Sequence, residues 1–276
     1  MRLPVITGFG GINPAGRLSF HHGYKRMVID ALTPAQQSQT YRSLAGLMGV
    51  DDFDAPHSRK YIRENTLIRR IDLFDPGNVF IQSSAKLRSA HDGEPLVFAL
   101  SKRQLPGTLP PGWQVEPIDD RTVRVSVTGD LDALIPNSRV SRVSSAGQLP
   151  KGFNPGELYQ SRNHPRGLQL AVYGASDALR STGISIERLK EVVPPDLMAV
   201  YSSSAMGQLD SEGYGALFQN PMCGKRPSSK NVPLGLSEMP GDFVNAYVLG
   251  SAGGTGGMIG ACATYLYNVH HGIEEI

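Results

Sequence analysis

The sequence predicts an α/β protein: a mostly parallel sheet flanked by helices, with an inserted α+β segment. Two observations support this prediction. From Pro165 to Ile276, helices, short apolar strands and glycine loops alternate, which is typical of parallel sheets that carry their chemistry at the strand ends. Residues 78–127 instead contain strand-like runs separated by Gly- and Pro-rich segments, which is typical of a β-rich insertion.

Composition limits the classes of partner. The 276 residues are 40% hydrophobic, which suffices for a substantial core. The 27 basic and 25 acidic side chains nearly cancel, so no strong field favours nucleic acid or a membrane surface. Cys223 and Cys262 are too few for a disulfide scaffold, and the N-terminus lacks the apolar stretch of a signal peptide. We therefore expect a cytoplasmic protein.

The first elements follow from turn and capping signals. Residues 3–11 predict an apolar strand that runs into a glycine turn, and residues 20–32 predict a helix. His21 and His22 would point to different faces of that helix, so a shared metal is not expected. Thr33 and Pro34 form an N-cap and N1 pair for a helix over residues 35–48 that ends at Gly49.

The next stretch contains a basic cluster and then the strands of the insertion. Phosphate or an acidic carrier protein would suit the cluster, but a salt-bridged surface is the commoner explanation. Its members are Arg59, Lys60, Arg63, Arg69 and Arg70. Strands are predicted over residues 79–81, 96–100 and 123–127, with Trp113 packed as core.

The second half returns to alternating elements. Residues 165–181 predict the clearest amphipathic helix, closed by Gly183, and residues 186–192 predict a short one. Residues 197–201 predict a buried strand that ends in the polar loop 202–207.

The last stretch places a cysteine at a bend. Residues 244–249 predict a strand, the glycines a loop, and residues 263 onward a helix with apolar Leu266, Val269 and Ile273. Cys262 would lie where the helix begins, and the first-turn amides and the dipole there favour thiolate. Its small neighbours would admit a substrate. The same residues also fit a small buried cysteine, and spacing does not distinguish the two.

Residues 243–273 also allow two other interpretations, a membrane span and a dinucleotide-binding loop. The uncharged run 243–273 has the length of a membrane span, but six glycines between Gly250 and Gly260 favour a strand, loop and helix. The segment Gly254–Gly260 also occupies the place of a dinucleotide-binding loop. Its spacing does not match G-x-G-x-x-G, and the acidic residue expected about 20 positions after the loop would fall beyond the chain end.

Four segments together resemble the β-ketoacyl synthases, the condensing enzymes that share the thiolase fold. They are Val5–Gly11 with Pro14–Gly16, Ala146–Pro155 with the helix 168–179, Val200–Gly207, and Gly260–Thr264 with the residues that follow. The resemblance covers residues 1–20 and 140–276, so residues 21–139 would form the insertion. It implies the N-terminal half of a thiolase-like layered fold, from a larger bacterial synthase of the initiating type.

The resemblance also implies a reaction and its residues. Cys262 would accept a short acyl group as a thioester and donate its amide to the oxyanion, and a decarboxylative Claisen condensation with malonyl-acyl carrier protein would follow. Met206, Gly207, Ala261 and Thr264 would contact the substrate. The expected partners are acyl carrier protein, acyl-CoA or acyl-carrier substrates, the missing C-terminal half and a second copy in a homodimer. No metal, cofactor, nucleic acid or membrane is implied.

The catalytic histidines of the family lie downstream of any residue present here. His270 and His271 would stand about 12 Å along the helix from Cys262, given a rise of 1.5 Å per residue, so we interpret them as structural. A non-catalytic fragment or partner subunit is therefore a further hypothesis.

Overall fold

The computed structural model describes residues 3–276, which form two compact units. Unit 1 holds the described residues up to Arg69 together with Ala146–Ile276, and unit 2 is Arg70–Ser145. The helices are α1 His22–Met27, α2 Pro34–Met48, α3 Pro56–Glu64, α4 Arg166–Ser181, α5 Ile186–Val192, α6 Tyr214–Met222, α7 Asn231–Gly235, α8 Met239–Val244 and α9 Thr264–Glu274. The strands are β1 Ile12–Asn13, β2 Gly16–Arg17, β3 Ile68–Arg70, β4 Val79–Leu87, β5 Leu96–Ser101, β6 Trp113–Pro117, β7 Thr122–Val127, β8 Leu131–Arg139, β9 Ser145–Gly147, β10 Val200–Tyr201 and β11 Thr255–Gly256.

The compact units do not follow the predicted domain boundaries. Residues 21–69 belong to unit 1, where α2, α3 and the 3-10 turn Ile29–Ala31 share one apolar core. Only the β-rich part of the predicted insertion forms a unit of its own. Whether residues 21–139 are an insertion relative to other condensing enzymes stays a prediction, because compactness does not test ancestry.

The core of the first helices is built around α2. Thr33 caps this helix with a reciprocal capping box to Gln36, and Gly49 ends it in the left-handed region, as predicted. Its inward face buries Tyr41, Leu44 and Met48 against Ile29 and Ile62. Each fully buried apolar side chain of this size contributes about 1.5–3 kcal/mol.

The opening segment differs from its prediction. Residues 3–11 form no strand, and among the described residues the first pairing is the two-residue ladder of β1 with β2. The segment instead lies along α4: the Phe9 amide donates to Ser181 Oγ at 2.9 Å and the Gly11 amide to Asp177 at 3.2 Å. An apolar run forms a strand only where a neighbouring strand accepts its backbone hydrogen bonds.

Unit 2 is an antiparallel β structure. Strand β4 pairs with β8, and β7 lies between β5 and β6. Val123, Val125 and Val127 form its buried row. Trp113 packs on that row and meets Phe98 edge to face, with ring centroids 5.9 Å apart. The three predicted strands and the core position of Trp113 are therefore confirmed.

The second half of unit 1 contains the predicted helices α4 and α5. The strand predicted over residues 197–201 shortens to β10, which pairs in parallel with β11. This is the parallel pairing that the alternating pattern indicated.

The strand predicted over residues 244–249 is wrong. Helix α8 continues through Val244 into one π-helical turn, Asn245–Leu249, which ends at Gly250 in the left-handed region. Tyr247 packs edge to face on Tyr159, and Phe243 on His164, with centroids 4.9 and 4.8 Å apart. A helix presents these two aromatic rings, four positions apart, to one face, so tertiary packing overrides the β propensity of Tyr and Val.

Candidate active site

Cys262 lies at a sharp bend between β11 and α9. A single 3-10 turn, Ala261–Ala263, precedes the helix, and Cys262 is its central residue. Ala261 has φ 47°, a left-handed conformation that non-glycine residues adopt only where the surroundings impose it. The predicted position of Cys262 at the start of the helix is therefore confirmed. The side chain is exposed, which excludes the alternative of a buried cysteine.

An open pocket of about 750 Å³ surrounds this bend. It lies between the loop after β10 and the first turn of α9. Among the predicted substrate contacts, Met206, Ala261 and Thr264 line it together with Cys262. Gly207 does not line the pocket; its amide donates to Ser204 Oγ at 2.8 Å and closes the loop that carries Met206.

Asn268 holds the two sides of the pocket together, and sequence reasoning missed it. This buried side chain accepts from the Met258 amide at 3.0 Å. It donates to Ser203 Oγ at 3.0 Å and to the carbonyls of Met258 and Thr264 at 2.9 and 2.7 Å. The loop after β10, the glycine loop and α9 thus meet at one amide. The available signal was a lone asparagine among Tyr, Leu and Val on the helix.

Thr264 closes the bend from the other side. Its hydroxyl accepts from the Gly260 amide at 3.0 Å and donates to the Ala261 carbonyl at 2.8 Å. The hydroxyl therefore satisfies backbone groups on either side of the strained Ala261 and restricts the direction in which Cys262 points.

The glycine loop has a packing role. A Cβ atom on Gly257 would lie 2.2 Å from the Ser202 carbonyl oxygen, and one on Gly253 would lie 2.3 Å from that of Met198. Both glycines therefore let this loop approach the backbone around β10 closely. This contact explains the residues that suggested a dinucleotide-binding loop without invoking a nucleotide.

The two histidines of α9 do not line the pocket, although His271 contacts Tyr201, which does. His270 and His271 approach Glu274 at 3.4 and 3.9 Å, and the ring of His271 meets Tyr201 edge to face at 4.4 Å. Their contacts agree with the structural interpretation.

An aromatic cluster of Tyr159, His164, Phe243 and Tyr247 joins α8 to the start of α4. The Tyr159 hydroxyl lies 3.3 Å from His164 Nδ1. Burial lowers the pKa of His164, with a smaller contribution from Lys230, and burial raises the pKa of Tyr159 to about 12. Both groups are therefore neutral at pH 7, as an apolar cluster requires.

The basic cluster forms the expected salt-bridged surface. Arg59 pairs with Asp54 at 2.6 Å, and Lys60 lies 3.9 Å from Glu64. Arg63 pairs with Asp30 and donates to the Tyr41 hydroxyl at 2.7 Å. The Arg69 guanidinium donates to the carbonyls of residues 148 and 149 at 3.0 and 2.9 Å.

Residues 3–276 lack the features of a metal site and of a membrane-spanning helix. They contain no group of three His, Cys, Asp or Glu side chains placed to hold a metal ion. Nor do they contain a helix long and apolar enough to cross a membrane. The uncharged run 243–273 is divided among α8, a π turn, a loop and α9.

Comparison with known proteins connects this site to a family. No protein-family model matches the chain. It is 45% identical, over an alignment 295 positions long, to the β-ketoacyl-[acyl-carrier-protein] synthase FabY of Pseudomonas aeruginosa, and the alignment covers 100% of this chain and 46% of FabY. The crystal structure of that ketosynthase superposes with a TM-score of 0.87 at 46% identity, covering 99% of this chain and 46% of FabY.

These similarities confirm the predicted relationship to the β-ketoacyl synthases and the thiolase-like α/β fold class. The chain spans about half the length of the relative it matches.

Proposed function

We propose that this chain supplies the acyl-accepting cysteine of a β-ketoacyl-acyl carrier protein synthase in fatty acid biosynthesis. The observation that supports it best is the exposed thiol of Cys262, held at a strained bend and opening into a pocket of about 750 Å³. In the proposed step the Cys262 thiolate attacks the carbonyl carbon of an acyl thioester. The carrier thiolate leaves, takes up a proton, and the acyl group remains on Sγ.

The bend offers a donor for the charge that develops in this step. Cys262 is the second residue of its 3-10 turn, where backbone N–H groups have no partner within the turn. We propose that the Cys262 amide stabilises the oxyanion of the tetrahedral intermediate. Ala261 and Thr264 would fix its direction, and Gly207 would shape the loop opposite.

The condensation itself needs further groups. Malonyl thioester loses CO2, the enolate attacks the acyl carbon on Cys262, and the Cys262 thiolate leaves. Stabilising the enolate requires hydrogen-bond donors near the sulfur, and no histidine lines the pocket. We propose that these histidines come from sequence beyond this chain, in the second half of the fold, and that the complete enzyme is a cytoplasmic homodimer that receives its substrates from acyl carrier protein or CoA.

The missing histidines also favour a second candidate function. A condensing-enzyme fragment or partner subunit would carry the same pocket without completing the reaction. The two candidates differ once the second half of the fold is present: acylation of Cys262 without any β-ketoacyl product from malonyl-acyl carrier protein under that condition would support the second.

Met206 is proposed to limit the length of the acyl group. Its side chain lines the pocket with Cys262 and is 74% exposed, so truncation should not disturb the fold. We expect Met206→Ala to raise the rate of Cys262 acylation by octanoyl thioester relative to acetyl thioester, measured by intact-protein mass spectrometry. An unchanged ratio would contradict a role in chain length.

Iodoacetamide labelling tests the proposed nucleophile. Both cysteines are exposed, so solvent access alone gives Cys262 no advantage over Cys223. We expect peptide mass spectrometry to find Cys262 modified first, by iodoacetamide and by cerulenin-type reagents. Acetyl thioester should acylate the wild type and Cys223→Ser but not Cys262→Ser. Faster labelling of Cys223, or acylation that persists in Cys262→Ser, would refute the proposal.

A further inference from the structure

A second pocket of about 660 Å³ lies on unit 1 between α2 and α4. It shares no lining residue with the pocket at Cys262. Its volume is in the range that accommodates a small organic ligand. The function proposed above assigns it no role.

The charges around this pocket are unbalanced. Three guanidinium groups, those of Arg17, Arg42 and Arg180, line it with a single carboxylate, Asp177. Asp177 is buried and already occupied: Arg17 Nε donates to it at 2.7 Å, and the Ser19 hydroxyl and amide donate to it at 2.8 and 3.1 Å. The carboxylate therefore neutralises Arg17 and leaves two cations.

Those two cations have no acidic partner among residues 3–276. The Arg42 guanidinium stacks over the Phe53 ring, 4.9 Å from its centroid, which fixes its position without neutralising its charge. Asp54, the carboxylate whose pKa Arg42 helps to lower, pairs with Arg59 at 2.6 Å. Arg180 forms no ion pair with the described residues. An anion in the pocket would meet both guanidinium groups.

The neutral state of His22 is consistent with a positive potential in this pocket. Burial lowers the pKa of His22, and the charges of Arg17 and Lys25 lower it further against the opposing effect of Asp177. A neutral imidazole adds a hydrogen-bonding group to the wall without adding a like charge that would repel the arginines.

Part of the pocket wall is apolar. Phe153 and Tyr173 meet edge to face with centroids 4.9 Å apart, beside Leu47 and Leu158. Burial raises the pKa of Tyr173 to about 12, so its hydroxyl stays neutral. A purely inorganic ion would leave this wall uncovered.

We infer that the pocket binds an amphiphilic anion, with a phosphate or carboxylate head between Arg42 and Arg180 and an alkyl segment against Phe153 and Leu158. Paired guanidinium groups suit an oxyanion, which accepts several charge-assisted hydrogen bonds. The apolar wall provides the area for the alkyl part.

Calorimetric titration of the purified protein with octyl phosphate tests this inference. Octanoate tests a carboxylate head in place of a phosphate head. Inorganic phosphate supplies only the anion, and octanol supplies only the alkyl chain. Titrations are run with and without iodoacetamide blocking of Cys262, so that binding at the other pocket is recognised. We expect octyl phosphate, octanoate or both to bind with 1:1 stoichiometry, and neither inorganic phosphate nor octanol to bind.

Variants locate the site. Arg42→Gln and Arg180→Gln should each weaken binding about five- to tenfold, as expected for one charged hydrogen bond. Leu158→Ser should weaken the binding of octyl phosphate and octanoate alike, because both place an alkyl chain at this position, and since Leu158 is 63% exposed the variant should fold normally. Arg188→Gln, an exposed arginine of α5 that pairs with Glu191 at 2.8 Å outside the pocket, is the matched control.

Three results would overturn the inference. The first is that neither amphiphile binds saturably. The second is that Arg188→Gln weakens binding as much as Arg42→Gln and Arg180→Gln do. The third is that binding disappears when Cys262 is blocked. None of these results tests the proposed role of Cys262 as the nucleophile, which the labelling of Cys262 tests separately.

Discussion

The α2 region and the nucleophile end of unit 1 are built on opposite principles. Around α2, Leu44, Met48 and Ile62 are buried in one apolar cluster. On α9 the apolar Leu266 is 65% exposed and Val269 and Ile273 are also exposed, whereas the buried side chain is that of Asn268. The first region is stabilised by apolar burial. The second is positioned by directional hydrogen bonds, which keep the thiol accessible.

The largest effect should come from the α2 core. Leu44 is 2% exposed, so Leu44→Ala should lower the free energy of unfolding by about 2–5 kcal/mol through lost burial and the cavity left behind. Leu266→Ala on α9 removes the same atoms from an exposed position and should change it by less than about 0.5 kcal/mol. Urea unfolding monitored by circular dichroism measures both. Equal losses would show that the two ends are stabilised alike.

Asn268→Ala should lower the free energy of unfolding less than Leu44→Ala does, but it should also slow the acylation of Cys262. The Met258 amide loses its partner inside the protein, whereas Ser203 Oγ keeps its bond to the Met258 carbonyl, so the loss should cost about 1–3 kcal/mol. Because the Cys262 bend is held through the same amide, acylation of Cys262 by acetyl thioester should slow about tenfold, as for one lost hydrogen bond that positions a reacting group.

Asn220→Ala is the control for that variant. Asn220 is a partly exposed residue of α6 whose side chain makes one long bond, 3.4 Å, to the Arg226 carbonyl. It should leave both stability and acylation unchanged. If Asn268→Ala lost stability but acylated Cys262 at the normal rate, Asn268 would be a structural residue only.

The smallest expected effect concerns pH and the aromatic cluster behind the nucleophile end. Burial lowers the pKa of His164 from its ordinary value of 6.5. The unfolded chain therefore binds the proton first, and stability should fall as the pH drops below about 6.5, down to the pKa of the folded state. His164→Phe should reduce this slope in urea unfolding measured between pH 7.5 and 5.

The slope should not vanish in His164→Phe, because burial also lowers the pKa of His22. His57→Gln, which replaces an exposed histidine of α3, is the control for the removal of one imidazole. A slope in His164→Phe equal to that of the wild type would mean that His164 keeps its unfolded-state titration in the cluster.

Much of the fold was readable from local signals. Helix α2 was predicted to within a residue because Thr33, Pro34 and Gly49 mark its ends chemically. Helix α4 was predicted because its apolar residues recur with the helical period. Strands β4, β5 and β7 of unit 2 were predicted because β-branched and aromatic residues alternate between turn signals, whereas β6 and β8 were not predicted.

The misses share one cause. Residues 3–11 and 244–249 both have strand-like composition, yet neither is a strand, because strand formation depends on a neighbour that a local pattern does not reveal. The role of Asn268 was not predicted for the same reason, because it depends on partners up to 65 positions away in the sequence.

The sequence by itself determined the elements with marked ends, the resemblance to condensing enzymes and the identity of Cys262 as the candidate nucleophile. Tertiary structure alone decided that Met206 and Cys262 line one pocket, that Asn268 joins the three segments around it, and that Arg42 and Arg180 line a second pocket. The reason is physical. Caps and periodicity act within a few residues, whereas pockets are formed by segments that only folding brings together.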